Sequence, residues 1–123
     1  MIKTDGHKLI AVERQRQIDV EGWSLGHDDS HGAGVLELAA LCYRDAADQH
    51  AKLPAQWPWD VSWWKPKGRQ SNLVRAGALY QAAADAAWRA SNYQSREKLQ
   101  AQVETCANLI NSLQPEPPSS GWT

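Results

Sequence analysis

Residues 71–90 read SNLVRAGALYQAAADAAWRA, and this alanine-rich stretch decides the fold. Ser71 can cap the N-terminus of a helix, and the residues after it are mostly good helix formers that run to about Ala90. Small side chains let helix axes come close to one another, so the stretch predicts the packed face of a helical bundle. That face mixes small and aromatic side chains at helical spacing: Leu73, Gly77, Tyr80, Ala84 and Trp88.

Three further helices are predicted around this one. Residues 8–21 hold neither glycine nor proline, and one helical face carries Ile10, Arg14 and Gln17. An amphipathic pattern over 35–50 predicts a helix that opens near Ser30, after a glycine-rich turn. Ser95 can cap the last helix, whose apolar seam has heptad-like spacing: Leu99, Val103, Cys106, Ile110 and Leu113. The predicted fold class is mainly α, a small bundle of about four helices.

Prolines and composition set the domain organisation. Pro54, Pro58 and Pro66 exclude a continuous helix, so residues 52–69 are predicted to form a long ordered loop packed on the bundle. Residues 1–113 make one helical domain, and the proline-rich residues 114–123 are expected to be a flexible tail. The seam of 95–113 predicts self-association as a dimer or larger oligomer, and packing of that helix within the chain is the alternative.

Length and charge exclude several classes of protein. The chain has 123 residues and a formal net charge of −1, so it fits one domain and is no general binder of nucleic acid polymers. It has no apolar run long enough for a membrane span, and its polar start does not resemble a signal peptide. We therefore expect a cytoplasmic protein in which Cys42 and Cys106 are reduced.

The most informative motif is WPWDVSWWKPKGR, residues 57–69. Indole rings offer flat faces for stacking on nucleobases, and the cations that follow, with the start of the next helix, can bind phosphate. The alternative is that the rings fill the core of an alanine-rich bundle, and some rings can do each. The candidate ligand contacts in this loop are Trp59, Trp63, Trp64, Lys65, Lys67 and Arg69, to which Trp23 is added from the earlier turn.

Two polar motifs give further candidates. In GHDDSH, His27, Asp28 and His31 are possible ligand contacts, and a turn that caps the next helix explains the same residues. The adjacent glycines argue against a regular helix there, so no metal site is assigned. In ERQRQ, Arg14 either belongs to a solvated face or turns inward to offer a planar donor fork to phosphate. No catalytic motif and no cofactor site is recognised.

Two resemblances bear on the origin of the chain. The blocks ERQRQIDVEGWSLGHDDSHGAGVLELAALCY, WPWDVSWWKPKGR and LVRAGALYQAAADAA resemble a family of small phage and prophage proteins over roughly residues 10–90. That resemblance implies a phage protein made in a bacterial cytoplasm, without implying a reaction. More weakly, RQIDVEGWSLGHDDSH and NLVRAGALYQAAADAAW are similar to the ryanodine-receptor repeat domain, which implies a nucleotide-like ligand.

These observations lead to one functional expectation and two alternatives. We expect a phage anti-defence protein that binds and sequesters a nucleotide-derived immune signal, of the cyclic nucleotide or cyclic ADP-ribose type, without cleaving it. The first alternative is a metal-dependent nucleotide pyrophosphohydrolase, which needs several carboxylates on adjacent helices. The second alternative is a protein-interaction module that inhibits a host factor through exposed tryptophans. The carboxylates available for the first are Glu13, Glu21, Asp28, Asp29 and Glu37.

Overall fold

The computed structural model describes residues 5–20 and 25–113, and for residues 25–31 it describes the backbone alone. Within these ranges the chain forms four α helices and no strand, so the mainly α fold class is confirmed. The helices are α1 (Asp5–Asp19), α2 (Leu25–Asp45), α3 (Arg69–Arg89) and α4 (Tyr93–Ser112).

Helix α3 is the centre of the bundle, because it packs against each of the other three helices. Gly77 explains how closely α1 approaches it: a Cβ atom at this position would collide with the side chain of Ile10. Close packing at Gly77 was predicted from the sequence and is confirmed. Trp88 was placed on the same face but is 57% exposed, although Ala86 and Ala87 just before it are buried. The alanines of α3 are all buried: Ala76, Ala78, Ala82, Ala83, Ala84, Ala86 and Ala87.

The starts of α3 and α4 differ from the predicted caps. The N-cap of α3 is Gly68, whose carbonyl accepts the Asn72 N–H at 3.0 Å, so Ser71 lies inside the first turn. The N-cap of α4 is Asn92, whose side chain accepts the backbone N–H of Ser95 at 3.3 Å. Both Ser71 and Ser95 were wrong as caps, since the residue three positions earlier already binds the first turn.

Helix α2 begins earlier and ends earlier than predicted. The backbone is helical from Leu25, and the glycine-rich segment is broken only at Gly32, whose φ of 79° and ψ of 155° join two helical pieces across a kink. A positive φ is readily adopted by glycine, so one glycine is enough to make this bend. The helix ends at Asp45 rather than His50, because side chains from α3 bind the carbonyls near its end.

The apolar seam of α4 is buried inside the chain. Leu99, Val103, Cys106 and Ile110 are each at most 6% exposed, and they belong to the same core as α1 and α3. The alternative of packing within the chain is therefore the one observed, and this seam no longer argues for self-association. The oligomeric state itself stays a prediction.

Residues 46–68 connect α2 to α3 and lie against the bundle. A short 3₁₀ helix over Val61–Trp63 is the one regular element of this connection. The indoles of Trp57, Trp59 and Trp64 are partly buried against the core. Across the described residues, no helix combines the length and the apolar character that crossing a membrane requires.

Candidate functional site

A cavity of about 230 Å³ lies where the tryptophan-rich connection meets α1, α2 and α3. We call it the aromatic cavity. Its lining contains four aromatic rings and four cations, and no acidic side chain among the residues that the structure describes. The lining residues are Arg16, Gln17, Tyr43, Trp57, Trp59, Trp63, Lys65, Lys67, Arg75 and Leu79.

Tyr43 of α2 fastens the connection to the bundle. Its hydroxyl donates to the backbone carbonyl of Trp63 at 3.1 Å and accepts the backbone N–H of Lys65 at 3.0 Å. The same oxygen accepts a hydrogen bond from Nη1 of Arg75 at 3.2 Å. Because Tyr43 is only 2% exposed, these bonds lie in a protected environment and fix the connection on both sides of Trp64.

The rings divide into a packed group and one more exposed ring. Trp57 meets Tyr43, Trp59 and Trp64 with centroid distances of 5.6, 5.5 and 5.0 Å, each edge to face. Trp63 is 48% exposed and has Lys65 Nζ 5.8 Å from the centroid of its ring. Aromatic pairs of this kind stabilise the packed group, whereas the exposed face of Trp63 suits stacking by a ligand.

A hydrogen-bonded turn holds Trp63 in place. The Asp60 side chain accepts the backbone N–H of Ser62 at 2.9 Å, and that bond lowers the pKa of Asp60 below its usual value. The backbone carbonyl of Asp60 accepts Nε1–H of Trp57 at 3.1 Å. The short 3₁₀ helix that carries Trp63 is thus capped at its start and tied to the packed rings.

The positive charge around the cavity is local. The chain as a whole has a formal net charge of −1, yet Arg16, Lys65, Lys67 and Arg75 all line this one cavity. The guanidinium of Arg75 lies over the ring of Tyr43, 5.2 Å from its centroid. Cations held next to aromatic faces favour a ligand that joins a flat ring to an anionic group.

Gln17 places a polar atom at the base of this region. Its side chain is 1% exposed, and its Nε2 lies 3.4 Å from Oε2 of Glu13. Its Oε1 is buried without a hydrogen-bond partner among the residues that the structure describes. A buried acceptor of this kind is energetically unfavourable, so the amide is a weak point of the packing rather than a support.

Two of the predicted loop contacts lie outside the aromatic cavity and bind other parts of the fold. Arg69 donates from Nη1 to the carbonyls of Arg44 and Ala46, the latter at 3.0 Å, and so binds the end of α2. Trp64 donates from Nε1 to the carbonyl of Ala51 at 3.2 Å and packs 4.8 Å from Tyr43. Neither lines the aromatic cavity, because each side chain points to the α2 side of the connection.

The other predicted contacts fall into three groups. Arg14 turns inward as one reading expected and is 8% exposed, but it does not line the aromatic cavity. Trp23 lies outside the described residues, and the side chains of His27, Asp28 and His31 lie outside them as well. The remaining four do line the cavity: Trp59, Trp63, Lys65 and Lys67.

Sequence reasoning missed several residues of the site. Arg16 stands two residues after the predicted Arg14 in the same motif, and only the orientation of α1 decides which one faces the loop. Tyr43 and Arg75 lie on the two helices that flank the connection, outside the tryptophan-rich motif, so the pattern of that motif does not include them. Asn72 does not line the cavity but supports it, and it was not predicted either: its buried amide accepts the Lys67 N–H at 2.7 Å and donates to the carbonyls of Lys67 and Ala46.

The carboxylates proposed for the enzymatic alternative do not gather in the described structure. Glu13 binds Arg16 through both oxygens, at 2.7 and 2.8 Å, and Glu37 is exposed on α2. Glu21 and the side chains of Asp28 and Asp29 lie outside the described residues. In the described part of the chain, no three His, Cys, Asp or Glu side chains group closely enough to hold a metal ion.

Comparisons with known proteins return no relatives. No family model matches the chain, and neither the search of curated proteins nor that of solved structures finds a similar protein. The likenesses to a phage protein family and to the ryanodine-receptor repeat domain therefore stay predictions from sequence.

Proposed function

We propose that this chain binds a nucleotide-derived small molecule and does not cleave it. The observation that carries the proposal is the aromatic cavity, where Tyr43, Trp57, Trp59 and Trp63 meet four cations. Aromatic side chains stack on the flat face of any nucleobase, and arginine and lysine bind phosphate. A phage anti-defence protein that sequesters an immune signal in the bacterial cytoplasm needs these two kinds of contact.

The size of the cavity limits what enters it. At about 230 Å³ it is smaller than the roughly 300–1,000 Å³ typical of sites for drug-sized ligands. One base of the ligand fits inside, and its sugar and phosphate groups extend outward along the cations. A cyclic dinucleotide would therefore place its second base outside this cavity, and a second copy of the chain would complete the enclosure.

Calorimetry with purified protein tests the proposal. The titrants are adenosine monophosphate, cyclic dinucleotides and cyclic ADP-ribose isomers. Trp63→Ala should weaken the binding of the active titrant by about 1–3 kcal/mol, the usual contribution of one stacked base. Trp88→Ala is the matched control, since Trp88 is also exposed but lies at the far end of α3, and it should bind as the wild type does.

The fate of the bound molecule distinguishes sequestration from hydrolysis. After incubation with magnesium, the active titrant should be recovered intact when the protein is denatured and the supernatant is separated by chromatography. Release of phosphate would support the pyrophosphohydrolase alternative. If no titrant binds at micromolar protein concentrations, the proposal is wrong.

A second candidate function rests on a separate surface. Trp88 and Tyr93 are 57% and 54% exposed, their ring centroids are 5.0 Å apart, and Arg96 lies 5.5 Å from the Trp88 centroid. Exposed aromatic and arginine side chains are typical of protein interfaces, which favours the interaction-module alternative. Inhibition of a host factor that is lost in Trp88→Ala and kept in Trp63→Ala would support it.

A further inference from the structure

A second groove, of about 380 Å³, opens beside the aromatic cavity between α1 and the first turn of α3. We call it the polar groove. Arg16, Lys67 and Arg75 line both spaces and form the wall between them. Gln70 and Ser71, in the first turn of α3, line the groove as well. Backbone N–H groups at the start of a long helix add to the attraction for an anion.

Glu13 is the one acidic side chain that lines the polar groove among the described residues. Its oxygens accept hydrogen bonds from Nε and Nη2 of Arg16 at 2.7 and 2.8 Å, and Oε2 lies 3.9 Å from Nε of Arg75. The carboxylate is 13% exposed and stands between two guanidinium groups. Arginine binds the oxygens of phosphate with the same two-pronged geometry.

We infer that the Glu13 carboxylate occupies the place of the ligand's phosphate, and that the polar groove takes a phosphate monoester on Arg16, Arg75 and Lys67. The inference rests on the proposed function, because a base in the aromatic cavity puts its phosphate beyond the wall of shared cations. Two anions held by the same guanidinium groups repel each other, so the carboxylate must move away when the phosphate arrives. Glu13 therefore lowers the affinity for phosphorylated ligands and does not affect uncharged ones.

Glu13→Gln tests this, because it removes the charge and keeps the size of the side chain. Glu37→Gln is the matched control: it removes the same charge from an exposed position on α2 outside both spaces. The probes are adenosine monophosphate and adenosine by calorimetry, and inorganic phosphate by phosphorus NMR titration. Glu13→Gln should bind both phosphate-bearing probes about tenfold more tightly, since like charges in contact oppose binding, and adenosine as before. Glu37→Gln should match the wild type.

Other results would overturn the inference. Weaker binding of both phosphate-bearing probes by Glu13→Gln would mean that the carboxylate positions the arginines for the ligand. An equal gain in affinity in Glu13→Gln and Glu37→Gln would mean that the net charge of the protein, and not the position of Glu13, causes the effect. Circular dichroism checks that the variants are folded, and Glu13→Ala, which also removes the charge, should show the same gain as Glu13→Gln.

A different outcome would contradict the proposed function and leave the anion site in place. If Glu13→Gln strengthens the binding of inorganic phosphate, but adenosine does not bind and adenosine monophosphate binds no better than inorganic phosphate, the anion site stands without a base site. If neither the wild type nor Glu13→Gln binds any of the three probes, both the proposed function and this inference are wrong.

Discussion

The hydroxyl of Tyr43 accepts the backbone N–H of Lys65 at 3.0 Å, and this hydrogen bond joins the last turn of helix α2 to the final part of the tryptophan-rich connection. The same hydroxyl donates to the carbonyl of Trp63, so one buried atom fixes the residues on both sides of Trp64. The exposed ring of Trp63 and the cavity-lining cation Lys65 are thereby held by a helix rather than by the loop alone. In the proposed function, this arrangement would preorganise the site for its ligand.

Tyr43→Phe should separate this anchoring from packing, because it removes the hydroxyl and keeps the ring. The backbone N–H of Lys65 then lacks its partner, and we expect the free energy of unfolding to fall by about 1–3 kcal/mol. Chemical denaturation by urea measures the loss. Ligand affinity should fall as well, since the position of Trp63 is no longer fixed. Unchanged stability and affinity would show that the hydroxyl does not hold the connection.

Trp63→Ala and Trp64→Ala should differ in how much stability they lose. Trp64 packs against Tyr43 and Trp57 and donates to the carbonyl of Ala51, so its removal should lower the free energy of unfolding by about 2–4 kcal/mol. Trp63 is 48% exposed, and its removal should change stability by less than about 1 kcal/mol. Thermal unfolding followed by near-ultraviolet circular dichroism compares the two. A larger loss in Trp63→Ala would contradict this division of the rings.

Gly77→Ala tests the close approach of α1 to α3. The new methyl group would collide with Ile10, and we expect a loss of about 1–3 kcal/mol in the free energy of unfolding, beyond the gain in helix propensity. Adding Ile10→Ala to Gly77→Ala removes the colliding atoms. The double variant should therefore lose less free energy of unfolding than the two single variants lose in sum. Strict additivity in urea denaturation would exclude a direct contact.

Gly6→Ala tests the approach of α1 to α4, for comparison with Gly77→Ala. A Cβ atom at Gly6 would meet the backbone of Ala107 on α4, which cannot rotate away as a side chain can. We therefore expect a greater loss of stability in Gly6→Ala than in Gly77→Ala, measured in the same urea series. The reverse order would show that α1 shifts easily over α4.

The helices could be predicted from the sequence more fully than the site could. Periodicity identified all four, because each buries a stripe of apolar or small side chains against its neighbours. Their ends were less predictable: Gly68 and Asn92 cap α3 and α4, where Ser71 and Ser95 also had suitable side chains. Several residues near a helix start can serve as the cap, and tertiary contacts select one of them.

The candidate site was predicted in its loop and missed in its helices. Local composition pointed to Trp59, Trp63, Lys65 and Lys67, which do line the aromatic cavity. Nothing in the sequence states which side of α1 faces the loop, so Arg14 was chosen where Arg16 is the lining residue. Trp64 and Arg69 were assigned to a ligand because sequence does not distinguish a ring or a cation that serves the fold from one that serves a ligand.

Alkaline pH should destabilise the protein through buried groups with raised pKa values, and the shift is large for two of them. Burial raises the pKa of Cys106 from 9.0 to about 11 and the pKa of Tyr80 from 10.0 to about 12. A group whose pKa is higher in the folded protein stays protonated there while it ionises in the unfolded chain, so the unfolded state binds fewer protons. Stability is thus fully present below pH 9 and falls as the pH rises towards 11 and 12.

The size of this loss and its control can be measured by urea denaturation between pH 8 and pH 11. We expect the Cys106 thiol alone to account for roughly 1–3 kcal/mol of the decrease at the upper end of the range. Cys106→Ala should start from a lower stability, because it leaves a small cavity in the core, but its stability should fall less steeply with pH. If the two proteins lose stability in parallel, the thiol is not protected by burial, and Cys106 should then react with a thiol reagent in the folded protein.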